Sequence, residues 1–594
     1  MIVVQAFLMC PDRIHKVHII TTDNPRLEEN YNQLFNFFRD YPNVIFTLTA
    51  IEGLVIPNTT KDQELFEEAL FQWYILYSTP DHLPLVCLSG GTKTIPSTMQ
   101  KAAQYFGAAD CFHVLVENPL PSNPQEVKEA KQNGRIQYVS LGKELGWLPL
   151  RMGVDKKKFA TCKIDERGIS YIAKPDQLIV RNHIKRLLAE VYRRAEGQAE
   201  VLPFQSLALL PAMIQDFLRA PLELSDRDWL ERLPKVELHC HLGGFATQPP
   251  LLEEVVAAAK RPITLKSVPS PPADWPLPAD CISLDAYMRL GDSNGSNLLK
   301  DEGCLQHQIE LLYQHLCEQN VRYAEIRCSP DNYTLNHRTA WDVLQDIRGH
   351  FQRLMDSVQD SESRCHVNLI VIATRKTEGD LSSISRHLAL AITAAQQTRN
   401  LPDTTCKVVG VDLAGYESRY SRASYFSADF MGVHRCGLAV TAHAGENDDA
   451  EGIWQAVYQL HARRLGHALH LWQAPDLLQT VIDRHIGVEM CPYANYQIKG
   501  FEPMEGKPKY PLSDYLRKGV LVTVNTDNIG ISDANLTDNF LLLIKLCPDI
   551  TRLEVLQLIR NALEVAFVGA FKRASLIKLF EKQVFNTLLN LKLS

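Results

Sequence analysis

Short runs of apolar, β-prone residues alternate with stretches of helical periodicity over roughly the first 142 positions of the chain. Residues 1–8, 16–20, 43–49, 85–88, 111–116 and 135–141 read as strands, and 63–77 and 96–106 as helices. This alternation predicts an α/β domain of Rossmann-like type over 1–150, with a sheet of about six strands. The opening stretch is apolar but short, has no basic leader and meets Pro11-Asp12-Arg13, so it reads as a strand and not as a signal peptide. Charged turns and helical segments such as 177–196 then mark a connector, mostly helical, over 151–230. After Pro234 the pattern changes again. Strand-like segments at 235–242, 323–328, 366–374, 407–414, 438–442, 464–468, 486–491 and 520–526 are separated by helices, which predicts a (β/α)8 barrel, the TIM-barrel architecture, over 231–594. The longest gap, 243–322, carries a proline-rich stretch and serves equally as a pocket wall, a lid or a surface excursion.

Composition narrows the functional classes. With 45% hydrophobic and 22% charged residues the chain of 594 residues is globular and multidomain. A net charge of −7 argues against a binder of long nucleic acid or of anionic membranes, while leaving room for a small anion in a local basic pocket. No apolar run reaches the length of a membrane span. The 14 cysteines are scattered without a C-x-x-C pair, which suits reduced thiols in a cytoplasmic protein better than disulfides or a zinc ribbon.

The barrel segments end in chemistry. In Val236-Glu237-Leu238-His239-Cys240-His241-Leu242, strand alternation places His239 and His241 on one face and Cys240 on the other. Alone, such a pair reads as ordinary hydrogen-bonded core histidines. Later segments, however, end in His443-Ala444-Gly445-Glu446, Gly466-His467 and Asn525-Thr526-Asp527-Asn528, and a barrel gathers all its strand C-termini at one mouth. Three histidines and an aspartate then supply nitrogen and oxygen ligands suited to zinc, with room for a water.

The series V-E-L-H-C-H-L, Y-A-E-I-R-C-S-P, V-D-L-A-G-Y-E, A-H-A-G-E, L-G-H and N-T-D-N resembles the adenosine deaminase family of zinc amidohydrolases, from about Pro234 to the C-terminus. The resemblance implies that His239, His241, His443 and Asp527 bind Zn2+, that Glu446 handles the proton at purine N1, and that His467 orients or deprotonates the water. Gly415 would lie against the purine edge. Zinc makes water nucleophilic near neutral pH for attack at adenine C6, and the density arriving at N1 needs a proton from a partly protonated carboxyl. The alternative zinc-deaminase pattern, H-x-E with P-C-x-x-C, is absent. His461 and His470 lie outside the motifs and read as surface or helix histidines.

Two positions depart from the family. Where the nucleoside enzymes carry L-D-G, this chain has Leu242-Gly243-Gly244, so the carboxylate expected to hold the ribose 5′-hydroxyl is missing, which admits a 5′-phosphate and a substrate such as ATP but also fits drift in a degraded site. Asn528 replaces the usual acidic residue after the metal aspartate, and its amide can donate to purine N7. Lys499, Lys507 and Lys509 are candidate phosphate contacts, or simply a solvated basic loop.

Near the amino terminus, 85–88 runs into Ser89-Gly90-Gly91-Thr92-Lys93 before a helix. A strand, glycine turn and helix N-terminus expose N–H groups to phosphate oxygens, although the turn also fits a plain αβ connection and lacks Walker A spacing. In this setting S-G-G-T-K resembles the ligand loop of CARF domains, the cyclic oligoadenylate sensors of type III CRISPR defence, with Thr21, Thr22 and Asp23 at a neighbouring strand end. The whole chain resembles the CRISPR-associated CARF-adenosine deaminase fusions. That family implies ATP deaminated to ITP once a cyclic oligoadenylate binds Thr21, Thr22, Gly90, Gly91, Thr92 and Lys93, in a homo-oligomer of CARF dimers that a hexamer would join through the deaminase domains. The competing readings are a nucleotide-sequestering protein without turnover, which intact ligands and Glu446 count against, and a constitutive adenosine or AMP deaminase.

Overall fold

The computed structural model describes residues 2–11, 14–79, 82–90, 94–151, 154, 156–166, 168–173, 175, 177–195, 202–265, 268–375 and 382–591. The chain forms two compact units, one of Met1–Val201 with Ala208–Pro211 and one of Leu202–Leu207 with Ala212–Ser594. The stretch 151–230, expected as a helical connector, is divided between them. It also contributes two short strands to the first unit.

In the first unit, β1 (Lys16–Thr22), β2 (Ile45–Ile51), β3 (Leu85–Cys87), β4 (Ala108–Val116), β5 (Ile136–Glu144), β6 (Cys162–Ile164) and β7 (Ser170–Ile172) form two sheets. Their orders are β1-β2-β7-β6 and β3-β4-β5, with β1, β2 and β7 mutually parallel and β3 parallel to β4. The expected single sheet of six is therefore two sheets, and β1 and β3 are not hydrogen-bonded. Parallel strands joined through helices such as Leu27–Phe38 and Thr94–Phe106 keep the α/β character. Where a strand is expected over 1–8, the described residues form a helix, Ile2–Met9. Its Val4, Phe7 and Leu8 pack with Phe37, Phe38, Phe112 and Val114, so an eight-residue apolar run is satisfied by a helix covering the sheet.

The second unit holds eight parallel strands in the order expected: β8 (Lys235–His241), β9 (Val321–Cys328), β10 (His366–Thr374), β11 (Val408–Ala414), β12 (Ala439–Ala444), β13 (Arg464–His467), β14 (Gly487–Met490) and β15 (Leu521–Val524). Each pairs with the next, and the barrel closes at its mouth where His241 N donates to Asp527 O at 2.9 Å and Asp527 N to His239 O at 2.7 Å. The strands are buried on both faces, which is why they read as apolar runs. The insertion after β8 folds over the mouth. Trp275 Nε1 donates to Ile531 O (3.0 Å), Ile282 N to Gln497 O (2.8 Å), and Tyr287 OH meets Ser532 Oγ (2.7 Å). Among the described residues, no helix is long and apolar enough to cross a membrane.

Candidate active site

The C-terminal ends of the barrel strands carry the histidines toward one point. His239 and His241 lie on β8, His443 on β12, and Asp527 follows β15 at a left-handed φ of 61°. His239 Nε2 is 3.2 Å from His443 Nε2 and 3.4 Å from His241 Nε2, and Asp527 Oδ1 is 3.3 Å from His241 Nε2 and 3.8 Å from His239 Nε2. All four ligand atoms lie within 4.8 Å of one another. A tetrahedral ion bound at about 2.0–2.1 Å separates its ligands by about 3.3–3.4 Å, so these side chains fit a zinc-sized cation. The glycine of L-G-H helps here, because a Cβ at Gly466 would stand 3.0 Å from His239 Cε1 and 3.2 Å from His443 Cα.

Residues absent from the sequence-based list orient the cluster. His239 Nδ1 faces Glu489 Oε2 at 2.9 Å and His443 Nδ1 faces Asp412 Oδ2 at 3.1 Å, so each Nδ1 carries its proton outward and each Nε2 lone pair points in. Arg327, wholly buried, bridges Asp412 (2.6 Å) and Glu489. Burial works against the Asp412 carboxylate, but Arg327 and His443 outweigh it and hold its pKa far below the usual range. Burial, followed by the Arg327 charge, lowers His239 well below its ordinary value, and burial with His443 lowers His241, so both stay neutral as a metal ligand requires.

Glu446 and His467 face each other beside this cluster, Oε1 to Nε2 at 3.6 Å, and both atoms are buried without a hydrogen-bond partner. Burial, then Asp527 and Glu417, pushes the Glu446 carboxyl well above its usual pKa, which favours its protonated form. The H-A-G-E turn is held by Glu417, whose carboxylate accepts from the backbone N–H of Gly445, Glu446 (2.9 Å) and Asn447 (2.8 Å). His470, expected as a bystander, contacts Gly445 O (3.1 Å) and Asp448 O (2.8 Å) through Nδ1 and braces the same turn. At His467, Asn495 fixes the tautomer. Its Oδ1 accepts from Cys491 N (3.1 Å) and Tyr510 OH (2.8 Å), so its Nδ2 donates to His467 Nδ1 (2.8 Å) and the ring proton sits on Nε2.

A cavity of about 330 Å3 opens over these groups. Gly243, Gly415, Asn528, Glu446, His467 and Asp527 all line it, and Tyr287, Leu284 and Met288 make the insertion one of its walls. Gly415 has a φ of 98°, and a Cβ there would meet Thr374 Cγ2 at 3.0 Å, so glycine is required. At Gly243 a Cβ would meet nothing closer than Ser296 Oγ at 3.4 Å, so a side chain fits. Asn528 packs on Gly244, where a Cβ would fall 1.9 Å from Asn528 Oδ1, and its Nδ2 donates to Asp527 Oδ1 at 2.8 Å. Lys499, Lys507 and Lys509 are not among the lining residues. Lys499 Nζ donates to Asn447 Oδ1 (2.7 Å), and Lys507 Nζ to Lys499 O and Cys281 Sγ (both 3.0 Å).

In the first unit, Thr21 near the end of β1 and Gly90 after β3 line one cavity of about 500 Å3, to which both strands contribute although they do not pair with each other, while Thr22 beside Thr21 is buried. Asp23 accepts from Gly53 N at 3.1 Å. Gly91, Thr92 and Lys93 lie outside the described residues.

The model of the adenosine deaminase family matches residues 234–583, and the chain belongs to that family. A second model, CRISPR-associated protein NE0113, matches residues 5–144, so the chain is a CRISPR-associated adenosine deaminase fusion. The adenosine deaminase of Clostridium acetobutylicum is 29% identical over 359 residues, 59% of this chain and 98% of that protein. That of Haemophilus ducreyi is 28% identical over 345 residues, 58% of this chain and 94% of that protein. Among solved structures, adenine deaminase from Arthrobacter aurescens aligns with a TM-score of 0.46 at 21% identity, covering 59% of this chain and 99% of that one.

Proposed function

We propose that the barrel is a zinc-dependent hydrolytic deaminase that converts the adenine of a nucleotide, ATP in the first instance, to hypoxanthine, giving ITP. We propose further that cyclic oligoadenylate bound by the amino-terminal unit switches it on in antiviral defence, within a homo-oligomer of sensor dimers. One observation carries the catalytic part: Nε2 lone pairs converging on a zinc-sized gap beside two buried, partnerless groups, Glu446 Oε1 and His467 Nε2.

His239, His241, His443 and Asp527 would hold the zinc, which supplies a Lewis acid that makes water nucleophilic at neutral pH. With its proton on Nε2, His467 donates to the attacking oxygen and orients it, which favours orientation over proton abstraction. Glu446, kept protonated, gives its proton to purine N1 as density builds there. Gly415 lets the purine edge approach the backbone, and Asn528 has a second N–H left for N7 after serving Asp527.

The absence of a carboxylate at Gly243, which lines the cavity and where a Cβ would make only ordinary contacts, supports the nucleotide reading. A second reading, adenosine itself, is favoured by the lining. Among the described lining residues Arg327 is the one lysine or arginine, and it is locked between Asp412 and Glu489. Rates with ATP, AMP and adenosine, with and without cyclic tetra- and hexa-adenylate, decide between them. His239→Ala should lose zinc, whereas Glu446→Ala should keep zinc and lose turnover. Full activity of zinc-free His239→Ala would sink the assignment.

A further inference from the structure

A third cavity lies at the other end of the barrel strands. Two neighbouring strands are each preceded by a histidine and an arginine: His461 and Arg463 before β13, Arg484 and His485 before β14. Both histidines hold left-handed φ, 49° and 53°, which residues other than glycine adopt rarely. The four residues line one cavity of about 680 Å3 together with Arg573 and Glu564. Its volume exceeds the needs of one phosphate, and it shares no lining residue with the active site.

Arginines outnumber carboxylates among the lining residues of this cavity, three to one. Glu564 is ion-paired with Arg560 at 2.6 Å. Among the described residues, no carboxylate lies within ion-pair distance of Arg463, Arg484 or Arg573. Ring faces and carbonyls position these arginines instead. Arg463 lies over Phe567 (5.6 Å), Arg484 over Tyr458 (4.6 Å), and Arg573 donates to the carbonyls of Leu563, Ala566 and Val568. A guanidinium resting on a ring keeps its N–H edge free for an anion. Burial, then the charges of Arg573 and Arg464, lowers the pKa of Arg463 against the opposing pull of Glu325, so Arg463 and Arg573 repel each other across the cavity. An anion would relieve that repulsion.

We propose that this cavity binds a polyphosphate chain, either inorganic or carried by a nucleotide. Guanidinium forks match phosphate oxygens two at a time, and the neighbouring imidazoles add N–H donors.

Isothermal titration of the full-length, zinc-loaded protein tests it with two probes, sodium tripolyphosphate and CTP, whose base lacks the purine the active site accommodates. Saturable binding of tripolyphosphate is expected, weakened about tenfold by each of Arg463→Ala and Arg484→Ala. Glu564→Gln should tighten it, a gain that damage to the fold does not produce. Equal affinity for both probes assigns the phosphate chain alone, and tighter CTP assigns a nucleotide. Absence of saturable tripolyphosphate binding to the wild type, or unchanged affinity in folded Arg463→Ala/Arg484→Ala, overturns the proposal.

Discussion

Glu489 and Asp412 each face the Nδ1 of a clustered histidine, and Arg327 ties the two carboxylates together. Glu489→Gln keeps the shape but weakens the acceptor, so zinc affinity should fall about 10- to 100-fold in chelator competition. An unchanged affinity would mean that packing alone orients His239. The motif series contains Asp412 and Arg327 but gives neither a role, and Glu489 left no mark: it sits mid-strand, and the histidine it serves lies 250 positions away. That His239, His241, His443 and Asp527 come together was legible because H-x-H alternation and polar strand ends leave a local mark. His470 and Asn495 left none, since a histidine under a turn and an asparagine behind a ring look like any others. Gly243 supports a second prediction at this scale. A carboxylate introduced by Gly243→Asp would meet phosphate in ATP and a hydroxyl in adenosine, so kcat/KM should fall more for ATP. An unchanged ratio would place the phosphates elsewhere.

Among the elements, the barrel strands were read nearly to the residue because burial on both faces writes them as apolar runs between helices. The amino-terminal helix was misread because an eight-residue stretch, apolar but for Gln5, carries no period that separates helix from strand. β6 and β7 were missed for the opposite reason. They are three residues each, and Cys162, Lys163 and Ile164 are all exposed. The insertion was legible as a gap but not as a wall, since that depends on contacts across the chain. Tyr287 makes the wall testable: its hydroxyl meets Ser532, and its ring packs with Leu290, Cys491, Ala494 and Ile531. Tyr287→Phe leaves Ser532 Oγ without that partner, at about 1–3 kcal/mol. Because the insertion shapes the cavity without touching the reacting atoms, KM should rise severalfold with kcat nearly unchanged in steady-state kinetics. A fall in kcat alone would place Tyr287 among the groups that act on the transition state.

For the whole molecule, the proposed sensor residues and the clustered histidines fall in separate compact units, Thr21 and Gly90 in one and His239, His241, His443 and Asp527 in the other. A ligand in the first can change turnover in the second only by favouring the conformation in which the second is competent. The coupling is then reciprocal for binding, so a nucleotide analogue that resists deamination should tighten cyclic oligoadenylate by the same factor by which the activator tightens the analogue. Lys93, in the S-G-G-T-K loop, is the cation placed to meet the activator's phosphates on the sequence reading. Lys93→Ala should raise the activator concentration for half-maximal rate about tenfold, with the maximal rate and zinc content of the wild type. Activator titrations of the deaminase rate, beside calorimetry of activator binding, separate the outcomes. A lower maximal rate at full occupancy would assign Lys93 to the coupling rather than to binding, and wild-type turnover indifferent to every cyclic oligoadenylate would leave the amino-terminal unit needing another ligand.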